Sequence, residues 1–164
     1  MVMRLVLSKH MGRHHLPLWS RKMSDTMILD DKILAYKKTN YIVLSEIAEF
    51  TFNVDQYSPQ LDELHASKEV RSSAFITAFN PFGTARDEIL NLDANQSLLA
   101  RIKHLGYQVI EGVGADKEGL WPPEPSFLVL GIDQQIAVLL GNEYHQDAII
   151  WIGNDAIPRL VLLR

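Results

Sequence analysis

The sequence predicts a single-domain α+β fold on a mixed or antiparallel sheet of about five to six strands, with helices packed mainly on one face. Three observations carry that expectation. Strand-like and helix-like runs do not alternate strictly, as a doubly wound parallel sheet requires. The last two apolar runs, AIIWI and LVLL, are joined around Gly153-Asn154-Asp155 and read as a hairpin. A single segment, from about Thr84 to Leu105, has the length and spacing of a long helix.

The elements follow in order. Asp30 and Asp31 suit the first turn of a helix whose other end, Lys37 and Lys38, complements the helix dipole. Tyr41 to Leu44 reads as a strand. Ser58 and Pro59 have the N-cap and first-position chemistry of a second short helix. AFITAF, residues 74 to 79, is a strand closed by Asn80-Pro81 and Gly83. Thr84 and Asp87 have capping-box spacing at the start of the long helix, which Gly106 ends. YQVIEG and SFLVLGI are strands separated by a loop carrying Pro122 and Pro123. The second is apolar on both faces, so it belongs in the middle of the sheet. Asp133 caps a last helix through about Glu143. Pro158 opens the second hairpin strand, where a missing N–H is tolerated.

Composition narrows the function classes. A chain of 164 residues fits one domain and buries roughly two thirds of its unfolded surface. No cysteine is present, which excludes disulfides, thiolate metal sites and a cysteine nucleophile, and fits a cytoplasmic location. No apolar run reaches the roughly 18 residues of a membrane-spanning helix, so no membrane partner is expected. Five of the 16 basic residues and none of the 20 acidic ones fall in residues 1–22. We therefore expect residues 1–22 to be a basic leader outside the fold, and 23–164 to form the domain. The leader reads as a targeting segment, a basic tail or, the preferred reading, an upstream extension with Met23 or Met27 as the true start. The remaining chain is acidic, a poor electrostatic footprint for nucleic acid.

Polar residues in apolar surroundings supply the candidate site. At 100° per residue, Asn91 and Asn95 share the apolar face of the long helix with Leu98 and Ile102. A buried, unpaired amide costs about 1–3 kcal/mol, so each needs a partner. The alternative makes Asn91 an N-cap, with the helix starting at Leu92, and leaves Asn95 pointing inward. In WPPEPSFLVLGI, alternation puts Glu124, Ser126, Leu128 and Leu130 on one side of an extended chain, and Pro125 favours that conformation for Glu124. A rigidly held carboxylate there is either an acid, base or acceptor with a raised pKa, or a structural acceptor of backbone N–H groups.

Gln146 either caps a strand edge, the preferred reading, or reaches a pocket. Thr77 reads as an ordinary strand residue, and Trp121 and Trp151 as core or loop anchors. Gly112-Val113-Gly114 lacks the following helix of a phosphate-binding loop. His65, His104 and His145 show no metal-ligand spacing, and no serine-nucleophile motif is present. No motif names a cofactor, and no metal is expected.

Taken together, FITAFNPFG, the asparagine pair, WPPEPSFLVLGI and HQDAIIWI resemble a bacterial family catalogued as domain of unknown function 3293, over roughly Leu34 to Leu163. The resemblance implies that Asn80, Asn91, Asn95, Glu124, Ser126 and Gln146 match positions in the family's motifs. It implies no activity, because the family has none established. One position departs from the pattern: His145 stands where the family has glycine. Two functions stay open. One is a pocket for a polar small molecule, nucleotide- or sugar-like, with Asn80, Asn91, Asn95, Ser126 and Gln146 as ligand-binding groups and Glu124 as catalytic acid or base. The other is a non-enzymatic adaptor with a protein partner, in which the same residues form a structural hydrogen-bond network.

Overall fold

The computed structural model describes residues 26–164; the basic leader expected at 1–22 lies outside the described residues. The elements are α1 (Asp30–Lys38), β1 (Asn40–Leu44), β2 (Glu49–Phe52), α2 (Pro59–Ser67), β3 (Ser73–Ile76), α3 (Glu88–His104), β4 (Gln108–Ala115), β5 (Glu124–Leu130), α4 (Gln134–Glu143), β6 (Ala148–Ile152) and β7 (Pro158–Leu162). This is the expected α+β class. All seven strands join one antiparallel sheet in the order β2-β1-β4-β5-β3-β6-β7. The added strand is β2, whose sequence EFTF pairs with β1 in the register Tyr41↔Phe52 to Leu44↔Glu49.

Alternation along the strands divides the core in two. Ala74, Ile76, Phe127, Val129 and Ile149 face α3 and α4, which bring Leu98, Ile102, Ala137 and Leu140. Tyr41, Val43, Phe75, Leu128 and Ile150 face the other way, with Leu61 of α2 packed among them. The two longest helices thus share a face, while α2 packs on the other, so the helices are divided between the two faces rather than gathered mainly on one. The helix α1 contributes no buried residue of its own. Among the described residues no helix is long and apolar enough to cross a membrane.

Two local features differ from expectation. The strand in AFITAF stops at Ile76, and Thr77 to Phe79 leave the ladder. The cap of α3 is Asp87, which accepts from Ile89 N at 2.8 Å, rather than Thr84. Asn91 therefore lies within the helix and is not its N-cap. Gly106, at φ 88°, ends the helix as the sequence indicates.

Candidate functional site

The site forms where the chain leaves β3 and crosses the end of the sheet toward α3. Outside the ladder, the backbone of residues 77 to 80 needs other partners, and side-chain amides supply them. Asn95 accepts from Ala78 N at 2.7 Å and donates to Pro125 O at 2.8 Å. Gln146 donates to Phe79 O at 3.1 Å. Asn91 accepts from Asn80 N at 2.9 Å and from Arg86 Nε at 3.0 Å, and returns a bond to Asn80 Oδ1 at 2.8 Å. Thr77 donates to Pro125 O at 2.7 Å and accepts from Phe79 N at 3.1 Å, so it does more than an ordinary strand residue. Three amides from α3 and the loop before β6 thus hold three consecutive backbone positions.

That scaffold aims Asn80. It sits in the left-handed region, φ 48° and ψ 64°, which asparagine tolerates better than most residues. From there its Nδ2 donates to Glu124 Oε1 at 2.8 Å. Among the described residues the other carboxylate oxygen, Oε2, accepts no hydrogen bond.

Glu124 starts β5, where it is half-buried, and alternation places it on the same side as Ser126, Leu128 and Leu130. Gly114 of β4 pairs with both Glu124 and Tyr41, making a cross-strand row Tyr41–Gly114–Glu124. Without a side chain at Gly114, this end of the face stays open. Gly112, one pair along, is crowded for a different reason. A Cβ there would stand 2.6 Å from the Phe75 ring, so the ring lies directly on the glycine. The result is a cleft of about 580 Å³ between the sheet and α1, lined by Tyr36, Tyr41, Phe75, Trp121, Glu124 and Gln146 among others. Burial raises the Glu124 pKa; the Asn80 bond and the Lys32 charge oppose that rise without cancelling it.

The far wall of the cleft is tied down through Asp147, whose side chain is 1% exposed. It accepts Lys32 Nζ at 2.6 Å, Arg164 Nε at 2.5 Å and Tyr36 OH at 3.3 Å. Burial pushes the Asp147 pKa up, but the Lys32 and Arg164 bonds outweigh it and hold the carboxyl below its ordinary value. Burial, then the Asp147 charge, raises the Tyr36 pKa; burial alone is the leading cause at Tyr41. Tyr41 OH in turn donates to Tyr36 O at 2.7 Å, a second tie between the sheet and α1. Beside this cluster, Phe82 N donates to His145 O at 2.7 Å and the two rings lie 5.0 Å apart. His145 has φ 56°, in the left-handed region that glycine adopts most readily.

The predicted residues therefore occupy different places. Asn80, Asn91, Glu124, Ser126 and Gln146 line the cleft, whereas Asn95 does not. The Asn95 amide is committed to the backbone on both sides, and the Ser126 hydroxyl donates to Glu124 O at 3.0 Å. Sequence reasoning missed Lys32, Tyr36 and Asp147, whose partners are distant along the chain, and Arg86, whose partners Asn91 and Leu90 are local. It also passed over Gly114. The Gly-x-Gly spacing in a strand was a usable signal there, since glycine in a strand marks close approach or open space. Trp151 is an anchor, donating to Ile132 O at 3.4 Å, while Trp121 faces the cleft. Among the described residues no group of three metal-binding side chains is placed to hold an ion.

No curated protein and no solved structure matches the chain. Residues 76–149, which contain all six predicted site residues, match the family model described as Protein of unknown function (DUF3293), and over that stretch the resemblance read from the motifs is borne out.

Proposed function

We propose that the protein binds a polar small molecule in the cleft between α1 and the sheet, with Glu124 as the recognising group. One observation carries this reading: the half-buried Glu124 carboxylate is fixed by Asn80 through one oxygen and leaves the other, which is not itself buried, uncommitted at a ligand-sized space. A cleft of about 580 Å³ falls within the usual range of roughly 300–1,000 Å³ for small-molecule sites. The open oxygen is free to accept a donor from a ligand. Its raised pKa also makes Glu124 the group here suited to general acid–base chemistry. In this reading Asn91 and Gln146 hold the backbone that positions Asn80, and Asn95 acts further out. The cysteine-free composition fits a cytoplasmic setting.

A second reading has its own support. Every buried side-chain N or O among the described residues has a partner, as expected of a structural network in a non-enzymatic adaptor. A thermal-shift screen of the full chain with nucleosides, sugars and amines separates the two. A compound present at about 100 times its Kd adds about 2.7 kcal/mol of stability. The small-molecule reading expects at least one such shift, lost in Glu124→Gln while the variant stays folded. No shift from any class, with marked destabilisation by Glu124→Gln, would favour the structural network.

A further inference from the structure

The hydrogen bonds around the cleft restrict what it can hold. Most polar groups lining it are already committed to the protein. Asn91 and Gln146 bond to the 79–80 segment, and Asp147 holds Lys32 and Arg164. The hydroxyl hydrogens of Tyr36, Tyr41 and Thr39 go to Asp147 Oδ2, Tyr36 O and Ala35 O. Arg86 and Glu88 also line it but are solvent-exposed, and Arg86 already donates to Asn91 and Leu90 O. Toward the interior, the uncommitted strong acceptors among the described residues are the Gln146 amide oxygen and, carrying the charge, Glu124 Oε2. Around it the walls are apolar or aromatic: Tyr41, Phe75, Phe79, Trp121, Ile150 and Leu160.

Resting on the small-molecule reading above, we infer that the ligand is a flat aromatic body bearing an N–H donor, of the nucleobase or indole type, and is neither a polyol nor a phosphate. A sugar would bring several hydroxyls against walls that are mostly apolar or aromatic, and each hydroxyl left unpaired costs about 1–3 kcal/mol. A phosphate would bring its negative charge against the Glu124 carboxylate, and like charges held close together are unfavourable. An aromatic N–H, by contrast, makes a charge-assisted bond to Glu124 while its ring faces the aromatic walls.

The test uses the full chain and five probes: adenine, indole, benzofuran as the indole isostere lacking N–H, glucose and inorganic phosphate. Ligand-observed NMR and thermal shift report binding. Adenine or indole should bind, benzofuran should bind at least tenfold more weakly than indole, and Glu124→Gln should erase that difference. Binding of glucose or phosphate without the aromatics would overturn this inference and leave the small-molecule reading standing. Equal binding of indole and benzofuran would overturn the role given to the N–H. Failure of all five, together with a broad metabolite screen, would overturn both.

Discussion

Replacing Asn95 by alanine tests the claim that helix amides hold the segment leaving β3. The substitution removes two hydrogen bonds, from Ala78 N and to Pro125 O. They are not equivalent. Pro125 O keeps the Thr77 hydroxyl at 2.7 Å, so its loss is partial. Ala78 is 1% exposed, so its N–H is left without water or another acceptor. An orphaned buried donor costs about 1–3 kcal/mol and the second bond about 1 kcal/mol. Against this, alanine is the better helix former by about 0.5 kcal/mol. The net expectation is a loss of about 1.5–3.5 kcal/mol, or a Tm lower by roughly 3–14 °C for a chain of this size. Urea unfolding with an unchanged m-value is the assay, and Gln96→Ala, one residue along on the exposed side, is the control. A loss under about 0.5 kcal/mol, no larger than the control, would refute the scaffold role of Asn95.

Other outcomes follow from the titrating groups. Because burial raises the folded pKa of Glu124, its ionisation costs stability once pH exceeds the unfolded glutamate value of about 4.3. Glu124→Gln should therefore match wild type near pH 3.5 and gain on it toward pH 7 in urea midpoints; a variant that loses ground over that range contradicts the assignment. Asp147 has the opposite sign: its folded pKa is lowered, so its stabilisation is present above about pH 3.9 and is lost as pH falls through the folded value. Asp147→Asn should cost roughly 1–3 kcal/mol at pH 7, less than a fully buried pair because Lys32 and Arg164 are about one-third exposed. An unchanged urea midpoint would count against this tie. His65, buried against Ser73 Oγ at 2.8 Å, has its pKa lowered by burial. Its contribution is present above about pH 6.5 and lost as pH falls through the folded value, and His65→Gln should flatten the stability profile across pH 5–7.

Much of the scaffold was legible because it depends on short-range periodicity. The 100° spacing that turns Asn91 and Asn95 inward holds in α3, and alternation from Glu124 to Leu130 holds in β5. The asparagine partners were not legible. They are backbone atoms of residues 78 to 80, exposed only because β3 stops three residues early. Pro125 explains part of that geometry, since its carbonyl is met by Thr77 and Asn95 side chains. The strand β2 was missed because EFTF is four residues long and only Phe52 of it is fully buried. Asp147 and Lys32 were missed for a different reason. A single acid before a strand and a single lysine on an exposed helix carry no local signal; only the fold brings them to 2.6 Å.

The central claim is that the space above Gly114 holds a ligand against Glu124. Gly114→Val tests it by filling that space while leaving every hydrogen bond of the site in place. A Cβ at Gly114 meets only Thr39 Cγ2, at 3.9 Å, and the position lies in a strand, where valine is favoured. The measurement is binding of indole or adenine to full-length wild type and to Gly114→Val, by ligand-observed NMR, with urea unfolding alongside. The account predicts that binding falls at least tenfold while stability stays within about 1 kcal/mol of wild type or rises. Undiminished binding to a folded Gly114→Val protein would contradict it.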